Sequence, residues 1–328
     1  VVKAGASASS AELARIAAVH DASVRPALVL GAEVDADDGR FAAVALAEKL
    51  GADVLVVPLS SRCSFPEDHP RFAGFLQPVA ELLNHELGKY DTVLVVGAPV
   101  FTLHVYTPGP VVPSGTTLFH ITANPGQAVS ALAGESLVSS PRRALEALAQ
   151  IVSGRPAKRR AAGASEAVAP VESMSPEFVL QTLAGLLPHD AVFVEEAPTH
   201  RNAMHTHLPI IMGQRFHVAA SGGLGWGMPA AVGMALADPG ATVVCIIGDG
   251  SSLYSIQSLR TAAQRGANVV FAVLNNSGYA AMKAFGRRLG VPNAPGLDLP
   301  DIDLTQLARG FGVPADHVTE ASDVHGAL

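Results

Sequence analysis

The sequence predicts an α/β protein of two domains, each a parallel sheet wound on both faces by helices. Three observations carry this. Short, nearly continuous apolar runs recur along the chain, each followed by a loop and an amphipathic segment, as strands buried on both faces read. The pattern lapses over 155–172, where "RPAKRRAAGASEAVAPVE" loses apolar periodicity and becomes rich in Ala, Pro, Gly and charge. The 328 residues are 49% hydrophobic and 16% charged, enough apolar mass for two ordinary cores.

In the first half, "PALVLGAEV" (26–34) is a predicted strand and "GRFAAVALAEKLG" (39–51) the helix that follows it. "DVLVVP" (53–58) is a second strand leading into a Pro-containing loop, and "DTVLVVGAP" (91–99) and "TTLFHITAN" (116–124) are further strands. "SPRRALEALAQIVSG" (140–154) closes the domain as a helix with a Ser cap and a Pro in its first turn. Residues 1–154 are therefore expected to be a Rossmann-like domain and 155–174 a linker. A second doubly wound domain is expected over 175–328. There "SPEFVLQTLAGLL" (175–187) is a helix, "AVFVEE" (191–196) a strand and "GLGWGMPAAVGMALA" (223–237) a Gly-started helix. "ATVVCIIGD" (241–249) is a strand, "SLYSIQSLRTAAQRG" (252–266) a helix and "NVVFAVLNN" (268–276) a strand.

Composition narrows the function classes. A net charge of −7, with one basic cluster, "KRR" at 158–160 inside the expected linker, argues against a nucleic-acid partner. Two cysteines, Cys63 and Cys245, provide neither a disulfide framework nor a cysteine zinc site, and Cys245 lies in an apolar strand as packing. No apolar run approaches the ~18 residues of a membrane span, so a cytoplasmic protein without a membrane partner is expected. His200, His205 and His207 cluster in sequence, but their spacing does not place three imidazoles on one helical face. The chain starts on Val1 and stops at Leu328 just after a helix-like start, so a fragment, C-terminally incomplete, is expected.

The chemistry lies at two strand ends. Asp249 sits between glycines where one apolar run ends, and Asn276 closes the next, 27 positions on, the length of a strand–helix–strand crossover. Ligands of open α/β sheets bind beyond the carboxyl ends of strands. A carboxylate and an amide oxygen converging there suit magnesium, with water and a ligand phosphate completing the shell. Gly248 and Gly250 let backbone approach closely, and the helix opened by Ser251 and Ser252 presents amide hydrogens to phosphate. The inferred ligand is a magnesium-bound diphosphate; the plainer alternative is a helix cap at Asp249 and a turn at Asn275 and Asn276.

With its GDG and NN elements so spaced, the chain resembles the thiamine diphosphate enzymes, and within them the 2-oxo acid decarboxylases of the benzoylformate decarboxylase type. The stretches that carry the likeness are "VVGAPVFTLHVYTPG" (95–109), "AASGGLGWGMPAAVG" (219–233), "IIGDGSSLYSIQSLRTAAQ" (246–264), "VLNNSGYAAMKAF" (273–285) and "APGLDLPDIDL" (294–304). The resemblance implies a middle domain and a diphosphate-binding domain. It implies thiamine diphosphate and Mg2+ as cofactors, with magnesium held by Asp249, Asn276 and the Gly278 carbonyl. Thr199, Gly250 and Ser251 would hold the diphosphate, with Tyr279 beside them. The Gly222 carbonyl would accept from the aminopyrimidine, and Leu224 would prop the cofactor in a bent form. His104 falls where the family has an active-site histidine suited to proton delivery, and Ala281, Met282 and Phe285 would line the substrate pocket.

The implied reaction is decarboxylation of an aromatic 2-oxo acid, benzoylformate to benzaldehyde and carbon dioxide in mandelate catabolism, through a thiamine diphosphate carbanion and enamine. An acetolactate synthase-like or phenylpyruvate decarboxylase-like enzyme, or a truncated non-catalytic fragment, are the alternatives. At "EEAPTHR" (195–201) the chain departs from the family's consecutive hydroxyl residues, and Pro198 supplies none. The family's pyrimidine-binding domain, which carries the glutamate that protonates the cofactor ring, matches no stretch here. It is expected from an upstream segment or another subunit of a homo-oligomer, a homotetramer by family habit.

Overall fold

A computed structural model describes residues 7–103, 106, 108–155, 166–171 and 174–327. The chain divides into two compact units, Val1–Gly163 and Ala164–Leu328. His104 and the basic cluster at 158–160 lie outside the described residues.

The first unit holds six strands: β1 (Pro26–Leu30), β2 (Asp53–Val56), β3 (Phe72–Phe75), β4 (Thr92–Val96), β5 (Thr117–Thr122) and β6 (Glu135–Val138). All pair in parallel, in the order β3-β2-β1-β4-β5-β6. Strand alternation shows why the runs read as continuously apolar. Leu28 and Leu30 of β1 join Leu94 and Val96 of β4 in one core, which the helices Ser10–Ala22, Arg40–Leu50 and Pro141–Ile151 cover. Ala27 and Val29 join Val93 and Val95 in a second core on the opposite face, beneath the helix Ala80–Leu87. With both faces buried there is no polar alternation to see.

Ser140 caps its helix as expected, its Oγ accepting from the Arg143 N–H at 3.3 Å with Pro141 next. The expected strand 26–34 ends at Leu30, because Ala32–Ala36 winds into a short helix. That turn lies against the end of β4, where the strand order reverses. The Gly31 N–H donates to the Val96 carbonyl and the Glu33 N–H to the Gly97 carbonyl, both at 3.0 Å. A Cβ on Gly31 would lie 2.3 Å from Ala98 Cβ. The Glu33 carboxylate closes the far side, accepting from Thr122 Oγ1 and the Ala123 N–H.

The second unit holds β7 (Val192–Glu196), β8 (Arg215–Val218), β9 (Val243–Gly248) and β10 (Val269–Leu274), all parallel, ordered β10-β9-β7-β8. From β7 the chain runs outward to β8, then returns to β9 on the other side of β7. The topological switch point lies between the carboxyl ends of β7 and β9. Cys245 is buried in β9 as packing, among Val194, Ile247 and Met228. Ser175 caps the helix Pro176–Leu186, its Oγ accepting from the Phe178 N–H at 3.2 Å.

Two expected helices change at their starts. The segment 223–237 becomes helical at Gly227, after a loop. The helix expected over 252–266 is broken: Asp249–Ser252 forms one short turn of helix, 253–257 is turn, and Ser258–Arg265 is the helix proper. No helix among the described residues is long and apolar enough to cross a membrane.

Candidate active site

Asp249 is the first helical residue after β9 and is buried, 5% exposed. Because Gly248 sits opposite Leu274 in the β9–β10 register, Asp249 and the segment after β10 leave the sheet side by side. The Gly278 N–H donates to Asp249 Oδ2 at 2.9 Å, which ties the loop carrying Asn276 to that carboxylate.

The loop is held from both sides. Asn275 Oδ1 accepts from the Ser277 N–H at 3.0 Å, a side-chain turn that supports Ser277 at φ 56°. The Leu299 N–H donates to the Ser277 carbonyl and the Tyr279 N–H to the Leu297 carbonyl, both at 2.9 Å. A Cβ on Gly278 would come within 2.5 Å of that Leu297 oxygen, so the position takes glycine alone. Asp249 and Asn275 line a small cavity with Leu253, Leu299, Ile302 and Leu304. Asn276 itself is exposed, as is its neighbour Asn275.

Gly250 faces the Tyr279 ring, and the Tyr279 hydroxyl donates to the Gly250 carbonyl at 3.3 Å. Tyr279 also meets Tyr254 edge-on, ring centroids 6.5 Å apart. Burial first, and the Tyr254 neighbour second, push the Tyr279 hydroxyl pKa up, keeping it a neutral donor. Ser251 and Ser252 are buried, and Ser252 Oγ turns back to donate to the Asp249 carbonyl at 2.7 Å. Asp249, Gly250, Ser251, Gly278 and Tyr279 are thus one contiguous cluster.

Thr199, Gly222 and Leu224 sit on loops leaving β7 and β8. Thr199 lies exposed on the turn after β7, and His200 caps that turn with its N–H on the Ala197 carbonyl at 2.9 Å. Burial holds the His200 imidazole below the ordinary histidine range, with Glu177 and Asp249 pulling the other way. Gly222, at φ 67°, and half-buried Leu224 lie on the loop that precedes the helix Gly227–Ala237. Ala281, Met282 and Phe285 lie on the helix Ala280–Arg288, which has no buried residue. Met282 is 51% exposed, so the stripe is a surface and not a core.

Sequence reasoning gave no role to two carboxylates at the end of β7. Glu195, 0% exposed, accepts from the Ala197 N–H at 2.6 Å and from Arg201 Nε at 2.8 Å and Nη2 at 2.6 Å. Glu196 accepts from the Gly225 N–H at 2.8 Å and the Gly227 N–H at 2.5 Å. The signal was present in "VFVEE": two acids ending an apolar strand are costly unless paired.

The cluster at Asp249 fits a magnesium diphosphate. Among the described residues no three His, Cys, Asp or Glu side chains gather to hold a metal, so an ion here relies on one carboxylate with neutral oxygens and ligand phosphate. The absence of a Cβ at Gly250 and Gly278 lets the Tyr279 ring and the Leu297 carbonyl approach the main chain there.

The comparisons define the class first. Residues 13–148 match the thiamine pyrophosphate enzyme central domain, and residues 197–328 match the thiamine pyrophosphate enzyme C-terminal TPP binding domain; the chain belongs to the thiamine pyrophosphate enzyme family. Among particular relatives, it is 41% identical over 311 residues to benzoylformate decarboxylase of Pseudomonas aeruginosa, covering 93% of this chain and 58% of that protein. The structure superposes with a TM-score of 0.93 on a thiamine diphosphate-dependent 4-hydroxybenzoylformate decarboxylase of Rhodococcus jostii, 38% identical, covering 100% of this chain and 63% of the other. It superposes at 0.94 on benzoylformate decarboxylase of Polynucleobacter necessarius, 31% identical, again covering 63% of that chain. The chain therefore spans about three-fifths of the length of these relatives.

Proposed function

We propose that the protein to which this chain belongs decarboxylates an aromatic 2-oxo acid, benzoylformate first, to an aldehyde and carbon dioxide, using thiamine diphosphate and magnesium. The observation that carries the reading is the tie between Asp249 and Gly278 beyond the carboxyl ends of β9 and β10, in a domain of a family that binds this cofactor. The named relatives supply the substrate class.

In this reading Asp249, the Asn276 side chain and the Gly278 carbonyl would hold magnesium, and Gly250, Ser251 and Thr199 would hold the diphosphate, with Tyr279 against Gly250. When bound, thiamine diphosphate supplies a nucleophilic carbon and an electron sink for the carboxylate's electrons. Of the chain's own residues, the Gly222 carbonyl would accept from the aminopyrimidine and Leu224 would support the cofactor's bent form. His104 delivers the proton that completes the aldehyde, an imidazole being suited to this near neutral pH. Ala281, Met282 and Phe285 form the apolar wall against the aryl group.

The pyrimidine-binding domain comes from a segment outside this chain or from another subunit of a homotetramer. The enzyme works in the cytoplasm, in mandelate catabolism. The test is an assay of the full-length protein on benzoylformate, with and without magnesium and thiamine diphosphate. Benzaldehyde and carbon dioxide should appear in equal amounts only when both are present. A cofactor-loaded, full-length preparation that leaves benzoylformate intact, or that instead condenses pyruvate to acetolactate, refutes the substrate assignment.

A further inference from the structure

Glu196 is a buried carboxylate, 4% exposed, that the mechanism above does not use. It ends β7 at the switch point, where its backbone lies opposite Ile247 of β9. Its two oxygens are each committed to one backbone N–H: Oε1 to Gly225 at 2.8 Å and Oε2 to Gly227 at 2.5 Å. Both amides belong to the far end of the loop that carries Gly222 and Leu224.

Three features show that the loop is built around this carboxylate. Gly227 begins the helix Gly227–Ala237, whose N-cap residue, Trp226, makes no side-chain capping bond. Glu196 therefore does from a strand what a Ser or Asp cap does locally, and its negative charge stands at the positive end of the helix. A Cβ on Gly227 would lie 2.9 Å from Glu196 Cβ and 3.1 Å from Oε2, so glycine is what allows the approach. Gly225 holds φ 93°, a conformation that turns its N–H inward at little cost only for glycine.

We propose that Glu196 is a positioning residue: it locks the 222–227 loop so that the Gly222 carbonyl and the Leu224 side chain meet the pyrimidine end of the cofactor. This rests on the cofactor reading above. Glu196 acts through the loop, each of its oxygens being taken up by a backbone amide. It should therefore govern binding of the pyrimidine end while leaving the Asp249 cradle as it is.

Trp226 lies between the two clamped amides, so its emission, read as the difference from a Trp226→Phe background, reports on them. The experiment uses the full-length protein as wild type, Glu196→Gln and Gly227→Ala, the last displacing the carboxylate without removing its charge. Amide hydrogen exchange over 222–228, Trp226 emission, and affinities for magnesium thiamine diphosphate and for magnesium pyrophosphate are measured on each. Both variants should exchange the Gly225 and Gly227 amides at least tenfold faster and shift Trp226 emission. They should bind thiamine diphosphate about tenfold more weakly, while pyrophosphate affinity stays within twofold. Unchanged exchange in both variants overturns the assignment, as does an equal loss of affinity for the two ligands. A wild type that binds pyrophosphate but not thiamine diphosphate instead overturns the cofactor reading, and the positioning role with it.

Discussion

Replacing Arg201 with methionine strips the guanidinium from Glu195 while keeping most of the apolar stem. In the native structure Glu195 is wholly buried, with Oε1 on the Ala197 N–H and Oε2 taking both Nε and Nη2 of Arg201. The variant leaves a buried carboxylate with one backbone donor and one bare oxygen. Breaking a buried pair from one side costs about 3–5 kcal/mol, because the remaining charge stays desolvated. Arg201 is 27% exposed, so water can follow the departed side chain, and the lower end, ~3 kcal/mol, is expected. At ~2–4 °C per kcal/mol for a unit of this size, the melting transition of the second unit should fall by about 6–12 °C. Adding Glu195→Leu removes the stranded charge and leaves the Ala197 N–H as the loss, ~1 kcal/mol. The double variant should therefore be more stable than the single. Urea unfolding of the full-length protein and its two variants measures this. An Arg201→Met protein within ~0.5 kcal/mol of wild type, or a double variant less stable than the single, would refute the reasoning.

Further outcomes follow from the same geometry. A Cβ on Gly250 would come within 2.5 Å of the Tyr279 ring, so Gly250→Ala should cost about 1–3 kcal/mol by overpacking; adding Tyr279→Ala should return part of it, read from urea midpoints. Asp249→Asn keeps the volume and loses the charge, so magnesium-dependent binding of thiamine diphosphate should weaken at least ~100-fold by calorimetry with the far-ultraviolet circular dichroism unchanged. Burial holds the imidazoles of His20 and His120 below the ordinary histidine range, so both stay neutral when folded and take up protons when unfolded. Their contribution to the first unit is present above about pH 6.5 and lost as pH falls, by up to ~1.4 kcal/mol per pH unit for each group. His20→Leu should flatten that dependence between pH 6.5 and 5.5, and an unaltered slope would count against the argument. Among the described residues His20 Nε2 has no hydrogen-bond partner, so the substitution forfeits the Nδ1 contact with the Ile16 carbonyl at 3.0 Å and no other hydrogen bond of the ring.

The strands legible in the sequence are those that both sides of a sheet conceal. Runs such as Ala27–Leu30 and Val243–Ile247 face cores in both directions, and their composition says so without a partner being known. β3, β6 and β8 were not foreseen. Phe72–Phe75 is half-buried throughout, Glu135–Val138 contains one buried residue, and each is short and flanks the sheet, so pairing and not composition makes it a strand. The stretch 252–266 has helical periodicity, yet it turns at 253–257 because the chain must first leave Asp249 at the strand end.

At the site, Asp249 and the loop of Asn276 were readable because a strand end and a glycine mark each. Glu196 was not, because its donors lie 29 and 31 positions away and only the fold brings them near. Met282 and Phe285 have the spacing of a core stripe and the exposure of a surface, a distinction periodicity does not make.

The glycine contacts after β1 bear on redesign. Gly31 and Gly97 bring the turn at 31–36 against the end of β4, and a Cβ at either would strike main chain or side chain within 3 Å. A loop grafted between β1 and the helix Arg40–Leu50 would have to keep both glycines and the grip of Glu33 on Thr122, so exchange of the whole turn is a safer change than single substitutions within it.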